Sequence, residues 1–316
     1  MEVVADNSSP EVEARAWVNA HKEEAGLSWP QIGKLSDVAS STLSLFATGR
    51  YAGNNQAIAI KVLAYRDRMA SQAELAGEAP AEPDWYETPT AKQITSLLRH
   101  AQSGKIVLIV TTPGIGKTKT AERFAANDPN VWLATMAPST AGVATMAIEV
   151  GQAIGLGEIK GSPQQLSRQI KAHVRGKCGL LIVDEAQELT DKALNELRSW
   201  HDQTKVGIAL MGNKEVIGNV NHKNSALAQI SSRVSIPLHQ FSPRPGDMDA
   251  LLDAWGIIAP DQRAFLCKVA ALPGALREAT HTINIASVAA FGAGQALSLA
   301  HLRDAARQRK VNIGGL

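Results

Sequence analysis

Aromatic side chains make up only 4% of this 316-residue chain, which argues against a large stacking surface for bases. Cysteine is scarcer still. Cys178 and Cys267 lie far apart and form no C-x-x-C pair, so neither a disulfide framework nor a zinc site is indicated. No uninterrupted apolar run approaches the ~18 residues of a membrane span; the stretch Ile283–Leu299 is rich in small residues but broken by Asn284, Ser287 and Gln295. The N-terminus is acidic and polar, without a charged-then-apolar leader. Neither charge sign dominates: 32 Lys and Arg stand against 30 Asp and Glu, a net +2, so no overall basic field announces a nucleic-acid partner. With these classes excluded, 45% hydrophobic residues describe a soluble protein of a reducing compartment, long enough for two domains or three small ones.

The distribution of charge says more than its total. Residues 1–70 carry 7 bases and 8 acids, whereas residues 71–89 carry no base and five acids, Glu74, Glu78, Glu82, Asp84 and Glu87, among Pro80, Pro83 and Pro89. Residues 90–240 carry 17 bases against 11 acids, and residues 241–316 carry 8 against 6. The acidic Pro/Ala stretch reads as a solvated linker. It sets a small domain over 1–70 apart from a basic middle block over 90–240, which a C-terminal block over 241–316 follows.

The first block has the pattern of a small helical module. Val12–Glu24 carries apolar residues at Val12, Ala16, Val18 and Ala20 and stops at Gly26. Ser28 is placed to cap a short helix holding Trp29, Pro30, Ile32 and Leu35. After a turn near Ser36–Asp37, Ser40 or Ser41 is placed to cap another helix with Leu43, Leu45 and Phe46, ended by Gly49. Two short helices joined by a tight turn fit a helix-turn-helix, whose second helix would offer Ser41, Thr42, Ser44, Thr48 and Arg50 to a DNA groove. A small bundle that binds protein fits the same pattern. With one base near the groove face, its share of DNA affinity would be modest.

The middle block carries the chemistry. Lys105–Val110 is a short apolar, β-branched run that predicts a buried parallel strand. Thr111-Thr112-Pro113-Gly114-Ile115-Gly116-Lys117-Thr118 follows, then a helical pattern over Lys119–Ala126. Strand, glycine-bearing loop and helix is the setting a phosphate-binding loop requires. In the loop from Pro113 to Lys119, the backbone N–H groups that follow the proline would converge on phosphates at the positive end of the helix, with Gly114, Ile115 and Gly116 keeping the approach open. Lys117 would reach the outer phosphates and the Thr118 hydroxyl would bind Mg²⁺. Thr111 stands where the full pattern has its first glycine, a costly residue if that position needs φ above zero.

A second strand, Gly179–Val183, ends in Asp184 and Glu185. The carboxyl end of a strand beside a phosphate loop is where a doubly wound sheet binds its ligand. Asp184 there would hold Mg²⁺ and Glu185 would orient or deprotonate the attacking water; a helix-capping turn is the plain alternative. A third strand, Val206–Met211, ends at Gly212-Asn213, which would point a polar side chain at that water. Ile230–Val234 places Arg233 near the end of a helical segment, as a finger for a neighbouring subunit's nucleotide or as a surface ion-pair partner. Pro273-Gly274-Ala275-Leu276-Arg277 opens a C-terminal helix, from which Arg277 would sense the phosphates. Helical patterns continue over Phe265–Leu272, Glu278–Phe291 and Leu299–Lys310, the last with Arg303 and Arg307 on one face.

Phosphate loop, D-E strand, Asn213, Arg233 and the G-A-L-R segment, in this order, resemble the AAA+ ATPases. The segments S-W-P-Q-I, W-Y-E-T-P-T-A-K-Q-I, N-V-W-L-A-T, I-A-L-M-G-N and S-S-R-V extend the resemblance to the target-DNA activators of transposable phages. The resemblance implies an α/β fold: an AAA+ P-loop αβα domain with a parallel sheet and a small helical lid, preceded by a small all-α helix-turn-helix domain. It further implies ATP and Mg²⁺ as cofactors, ATP-dependent assembly into a helical filament on double-stranded DNA, delivery of that DNA to a transposase, DNA-stimulated hydrolysis that releases the subunits, and work in the bacterial cytoplasm. On that reading Lys160, Arg168, Lys171, Arg175 and Lys177, on a helix from about Ser162, would face DNA phosphates together with Ser139 and Thr140; Lys171 and Arg175 would share one face. A solvated helix face remains the alternative, and the C-terminal helix would be a contact for transposase or DNA.

Three functional readings follow: a DNA-assembled ATPase switch for transposition targets, an AAA+ helicase loader, and a nucleotide-gated DNA-binding regulator with little hydrolysis. The first fits the motifs best.

Overall fold

The computed structural model describes residues 9–78, 82–214 and 232–311. The chain divides into two compact units, Met1–Ala81 and Glu82–Leu316.

The first unit is all helical: α1 (Pro10–Glu24), α2 (Trp29–Ser36), α3 (Ser40–Ala47) and α4 (Asn55–Glu78). Ser28 caps α2, and its backbone N–H donates to the Gln31 side chain at 2.8 Å. Asp37, in a left-handed conformation at φ 55°, closes α2 and starts the turn into α3. That helix begins at Ser40 with Ala39 at its cap, so neither expected serine is the cap residue. The buried face of α1 is Ala14, Val18 and His21: of the apolar residues the sequence offered, Val18 is buried, whereas Val12, Ala16 and Ala20 are exposed, Val12 by 53%. Positions 14, 18 and 21 share one helical stripe, and positions 12, 16 and 20 lie on the opposite face. Ile32, Leu43 and Phe46 complete the core with Val62 and Tyr65 of α4, whereas Leu35 and Leu45 face outward. On α3, Thr42 and Ser44 are half-buried and Ser41 exposed; Thr48 and Arg50, just past its end, are exposed, and the Thr48 hydroxyl returns to the carbonyls of Ser44 and Leu45. The acidic stretch expected as a linker is helical through Glu78.

In the second unit, α5 (Pro89–Gln102) leads into β1 (Ile106–Thr111), α6 (Lys117–Ala126), β2 (Val131–Thr135), α7 (Val143–Ala153), α8 (Pro163–Val174), β3 (Leu180–Asp184), α9 (Asp191–Thr204), β4 (Gly207–Gly212) and β5 (Val234–Gln240). The strands form one parallel sheet in the order β2-β3-β4-β1-β5. Period-two alternation sends Leu108, Val110, Leu181, Val183 and Leu210 to one face, and Val107, Ile109, Ile182, Ala209 and Met211 to the other. Helices α7, α8 and α9 cover the first face and α5 and α6 the second, so every strand except the edge β5 reads as a continuous apolar run. Pro237 is tolerated in β5 because an edge strand can spare an N–H.

Four helices follow: α10 (Asp247–Ala254), α11 (Pro260–Ala270), α12 (Ala275–Gly292) and α13 (Leu299–Gln308). They pack around their own core, with Leu251, Leu266, Ile283 and Leu302 fully buried. This small helical layer is tied to the sheet domain through Asp247, which is 0% exposed. Its carboxylate accepts the Thr90 N–H at 2.8 Å, the Thr90 hydroxyl at 2.5 Å and the Arg244 N–H at 2.6 Å. Asp247 and Thr90 open α10 and α5, so the anion lies where two positive helix ends meet. Among the described residues no helix is long and apolar enough to cross a membrane.

Candidate nucleotide-binding site

The turn between β1 and α6 makes the centre of the site. Gly114 and Gly116 both adopt left-handed φ, +86° and +92°. Thr111 does not: it is the last residue of β1, 1% exposed and in register with Gln240. The position that raised the question of strain is therefore ordinary strand, and threonine carries no backbone cost there. Gly114 has a second constraint, because a Cβ on it would overlap the Gly274 carbonyl. The Arg277 N–H also donates to the Gly114 carbonyl at 3.1 Å. The loop and the helical layer thus touch backbone to backbone.

Helix α6 begins at Lys117, two residues before the expected start. Lys117 Nζ donates to Asp184 Oδ1 at 2.7 Å and lies 3.7 Å from Glu185 Oε1; the Thr118 hydroxyl donates to Asp184 Oδ2 at 2.6 Å. Asp184 ends β3 and is buried, whereas Glu185 turns out of the strand in a left-handed conformation at φ 53°. That conformation is costly for a non-glycine residue and aims its side chain at the cleft. Asn213 follows β4 and lines the same cleft. Gln187, which the sequence reading missed, links the two: its amide donates to Glu185 Oε2 at 2.5 Å and accepts from the Asn213 N–H at 3.3 Å. A glutamine two residues beyond the acid pair gave no pattern that would single it out.

The cleft encloses about 720 Å³ and runs from Thr118 and Lys119 past Gly114 to Tyr86 and His281. Its far wall comes from residues 82–88, the second half of the acidic stretch. Trp85 lies under the Arg123 guanidinium, 4.8 Å from the ring centre, and Tyr86 packs on the core of the helical layer. Burial pushes the Tyr86 phenol above its ordinary value. Trp85, Tyr86, Thr280 and His281 line the cleft without having been site candidates: the first two lie in the stretch that charge and proline content made read as linker, and the other two on α12. Pro113 and Ile115 line the cleft as well, Ile115 from the buried side.

Arg233 stands apart. It lies in a turn just before β5, paired with Asp202 at 3.1 Å; the chain before Ser232 that was expected as helix lies outside the described residues. Parallel pairing of β5 with β1 matches Val234 to Ile106 and Gln240 to Thr111. Arg233 is thus at the amino end of the sheet, and the phosphate loop is at the carboxyl end.

The expected DNA-facing group is divided in the same way. Ser139 and Thr140 lie in a 3-10 turn after β2, before rather than on α7, and the Thr140 hydroxyl closes that turn on Ala137. Lys171, Arg175 and Lys177 lie at the amino end: Lys171 bonds Gln203 near the end of α9 at 3.0 Å, and Lys177 sits over Trp132 at the start of β2. Nor do Lys171 and Arg175 share a helical face, because α8 ends at Val174 and Arg175 takes an extended conformation. Ser162 does cap α8. Arg168 is exposed on it, and Lys160 precedes it, paired with Glu158.

Residues 99–218 match the family described as AAA domain. Residues 232–308 match the family described as Mu B transposition protein, C terminal. The ATP-dependent target DNA activator B of Escherichia phage Mu is 30% identical over 302 residues, covering 95% of this chain and 96% of that protein. The Mu-like prophage FluMu DNA transposition protein B of Haemophilus influenzae is 31% identical, covering 75% and 83%. Among solved structures, the Aeropyrum pernix ORC2 protein shares the fold at a TM-score of 0.54 and 17% identity, over 71% of this chain and 70% of that one. With its phosphate loop on a parallel sheet and similarity along nearly the whole sequence, the chain belongs to the AAA-domain family of Mu B transposition proteins.

Proposed function

We propose that the chain is an ATPase switch that assembles on double-stranded DNA in its ATP state, marks that DNA as a transposition target and stimulates the transposase, in the bacterial cytoplasm. The observation that carries the reading is the convergence of Lys117, Thr118, Asp184 and Glu185 at one end of the sheet, under a helical layer bonded to the phosphate loop. The N–H groups from Gly114 to Lys119, with the Lys117 ammonium, bind the triphosphate of ATP, and Pro113, which has no N–H, shapes the loop entrance. The Thr118 hydroxyl and Asp184 carboxylate, hard oxygen donors already within hydrogen-bond distance of each other, suit Mg²⁺. That ion would neutralise charge building on the phosphate oxygens.

Glu185 acts as base or orienter of the attacking water, and Gln187 holds it beside Asn213. Arg277 follows the phosphates from the helical layer. Arg233 serves the nucleotide of a neighbouring copy, which makes hydrolysis depend on assembly. Ser41, Thr42, Ser44, Thr48 and Arg50 are offered to DNA by the N-terminal unit, and Lys160, Arg168, Lys171, Arg175 and Lys177 by the sheet domain. Ser139 and Thr140, at the opposite end of the sheet, would contact DNA separately.

The test is electron microscopy of the full chain with duplex DNA, with and without ATP. Filaments are expected only with ATP. Lys117→Ala should prevent them and Glu185→Gln should preserve them while abolishing their dissolution. Equal coating of DNA in nucleotide-free buffer would overturn the reading.

A further inference from the structure

Resting on the reading of Arg277 as a phosphate contact, we infer that Arg309, at the end of the C-terminal helix, is a positioning residue for ATP hydrolysis. By clamping Glu278 it holds the first turn of α12, and with it Arg277, against the phosphate loop. Helix α12 divides its opening turns between two neighbours. Leu276, Arg277, Thr280 and His281 line the cleft, whereas Glu278 turns to the end of α13. Its carboxylate takes both arms of the Arg309 guanidinium, Oε1 accepting from Nε at 2.5 Å and Oε2 from Nη2 at 2.8 Å. Two-point pairing of this kind fixes orientation as well as distance. The pair is also sheltered, with the Arg309 side chain 30% and the Glu278 side chain 17% exposed. The bonds from Arg309 are the first cause that holds the Glu278 carboxyl below its ordinary value.

The Arg309 backbone is firmly seated. Its N–H donates to the Ala305 carbonyl at 3.1 Å, the Lys310 N–H to Arg307 and the Val311 N–H to Ala306, both at 2.9 Å, and Val311 packs on the core of the helical layer. Glu278 stands in the first turn of α12 and Arg309 just past the last turn of α13, so each charge also complements its own helix dipole. What they hold is a strained turn. Ala275 is buried in a left-handed conformation at φ 48°, costly for a residue with a Cβ and persistent only where its surroundings fix it. Those surroundings act from two sides. On one, Gly114 lies against the Gly274 carbonyl and accepts the Arg277 N–H. On the other, the Glu278 stem lies against Gly274, where an added Cβ would stand 3.2 Å from the Glu278 Cβ. Without Arg309 the phosphate loop alone would hold this turn. Arg277 would then lose its fixed aim, and a guanidinium stabilises developing charge best when it is aimed beforehand. Arg309 does not itself line the cleft, so its effect on hydrolysis runs through α12.

The test is a double-variant cycle on the full chain with duplex DNA, ATP and Mg²⁺, reading phosphate release and, separately, the unfolding midpoint. Arg309→Ala should lower kcat/KM for ATP about tenfold, and Arg277→Ala at least as much. In a chain already carrying Arg277→Ala, Arg309→Ala should lower it less than about twofold further, while shifting the unfolding midpoint equally in both backgrounds. Arg309→Lys keeps the charge but not the two-point contact, so its loss should fall between; if Arg309→Ala does not fold, the lysine variant carries the same cycle. Hydrolysis that stays unchanged in a destabilised Arg309 variant overturns the proposal, because the clamp is then structural only. A full loss that persists without Arg277 overturns it as well. If Arg277→Ala itself hydrolyses ATP like the unmodified chain, the reading of Arg277 falls and takes the proposal with it. If the unmodified chain releases no phosphate, the functional reading falls first.

Discussion

Replacing Gly114 with alanine separates two demands on the phosphate loop. The first is conformational: at φ +86° an L-residue pays roughly 1–2 kcal/mol. The second is contact, since the new methyl would overlap the Gly274 carbonyl, a backbone atom that cannot swing aside. Forcing an extra methyl into a packed site costs about 1–3 kcal/mol, and retreat of the Gly274 turn also forfeits the bond from the Arg277 N–H to the Gly114 carbonyl, worth about 0.5–1.5 kcal/mol. Gly116→Ala is the matched control. It has φ +92° and nothing within 4 Å of its Cβ, so it carries the first cost alone. The difference, about 1.5–4.5 kcal/mol, is a factor of about ten to a thousand in opening of the Gly274–Arg277 turn. The Arg277 N–H is shared between the Gly114 and Gly274 carbonyls, each at 3.1 Å, so hydrogen exchange of that amide in the nucleotide-free full chain reads opening of the turn as a whole. Equal exchange rates in the two variants would refute the claim that loop and helical layer are coupled through backbone contact.

Three other outcomes are expected. Arg233→Ala should leave ATP binding by dispersed chains unchanged and lower hydrolysis in assemblies about 10³-fold, measured as phosphate release against protein concentration; a loss independent of concentration would contradict action in trans. Asp247→Ala strands the Thr90 N–H and the Thr90 hydroxyl in a buried site, at about 1–3 kcal/mol each, and removes the acceptor of the part-buried bond from the Arg244 N–H; denaturant unfolding should show a loss of at least about 2 kcal/mol, and a loss under about 1 would mean that water replaces the carboxylate. Glu278 is held below its ordinary value of 4.5 first by hydrogen bonds from Arg309. A depressed carboxylate stabilises the fold above its unfolded value and loses that contribution as pH falls through the folded one, so Arg309→Ala should be less stable near neutrality but lose less on acidification, and parallel pH profiles would refute the pairing.

What could be read from the sequence was what local pattern determines. The runs at Lys105–Val110, Gly179–Val183 and Val206–Met211 predict β1, β3 and β4 to within a residue or two, because strands buried on both faces leave unbroken apolar text. The phosphate loop and the acid pair are local as well, and the structure joins Lys117 and Thr118 to Asp184. Residues 82–88 were hidden for the opposite reason. Acids and prolines on both sides of Trp85 and Tyr86 look like solvated chain, and only the Arg123 guanidinium and the core of the helical layer, both remote in sequence, give those rings a place. On α1, apolar composition suggested Val12, Ala16, Val18 and Ala20, of which only Val18 is buried; the stripe of Ala14, Val18 and His21 is set by packing against α4, and His21 joins it by bonding the Tyr65 hydroxyl at 3.1 Å.

Arg233 illustrates how much topology adds to motif order. In sequence it follows the phosphate loop, the acid pair and Asn213, an order that leaves open a finger for a neighbouring subunit's nucleotide or a surface ion pair. Parallel pairing of β5 with β1 instead sets it a full strand away from that loop: six residues of β1, roughly 20 Å at ~3.3 Å each, well beyond the reach of an arginine side chain. Its guanidinium is engaged by Asp202 on α9, on the side of the sheet where chains enter strands. If Arg233 acts on a triphosphate at all, that triphosphate belongs to another copy of the chain. Dependence of hydrolysis on assembly is then a geometric consequence of strand direction, and it requires no conformational signal to pass through the fold.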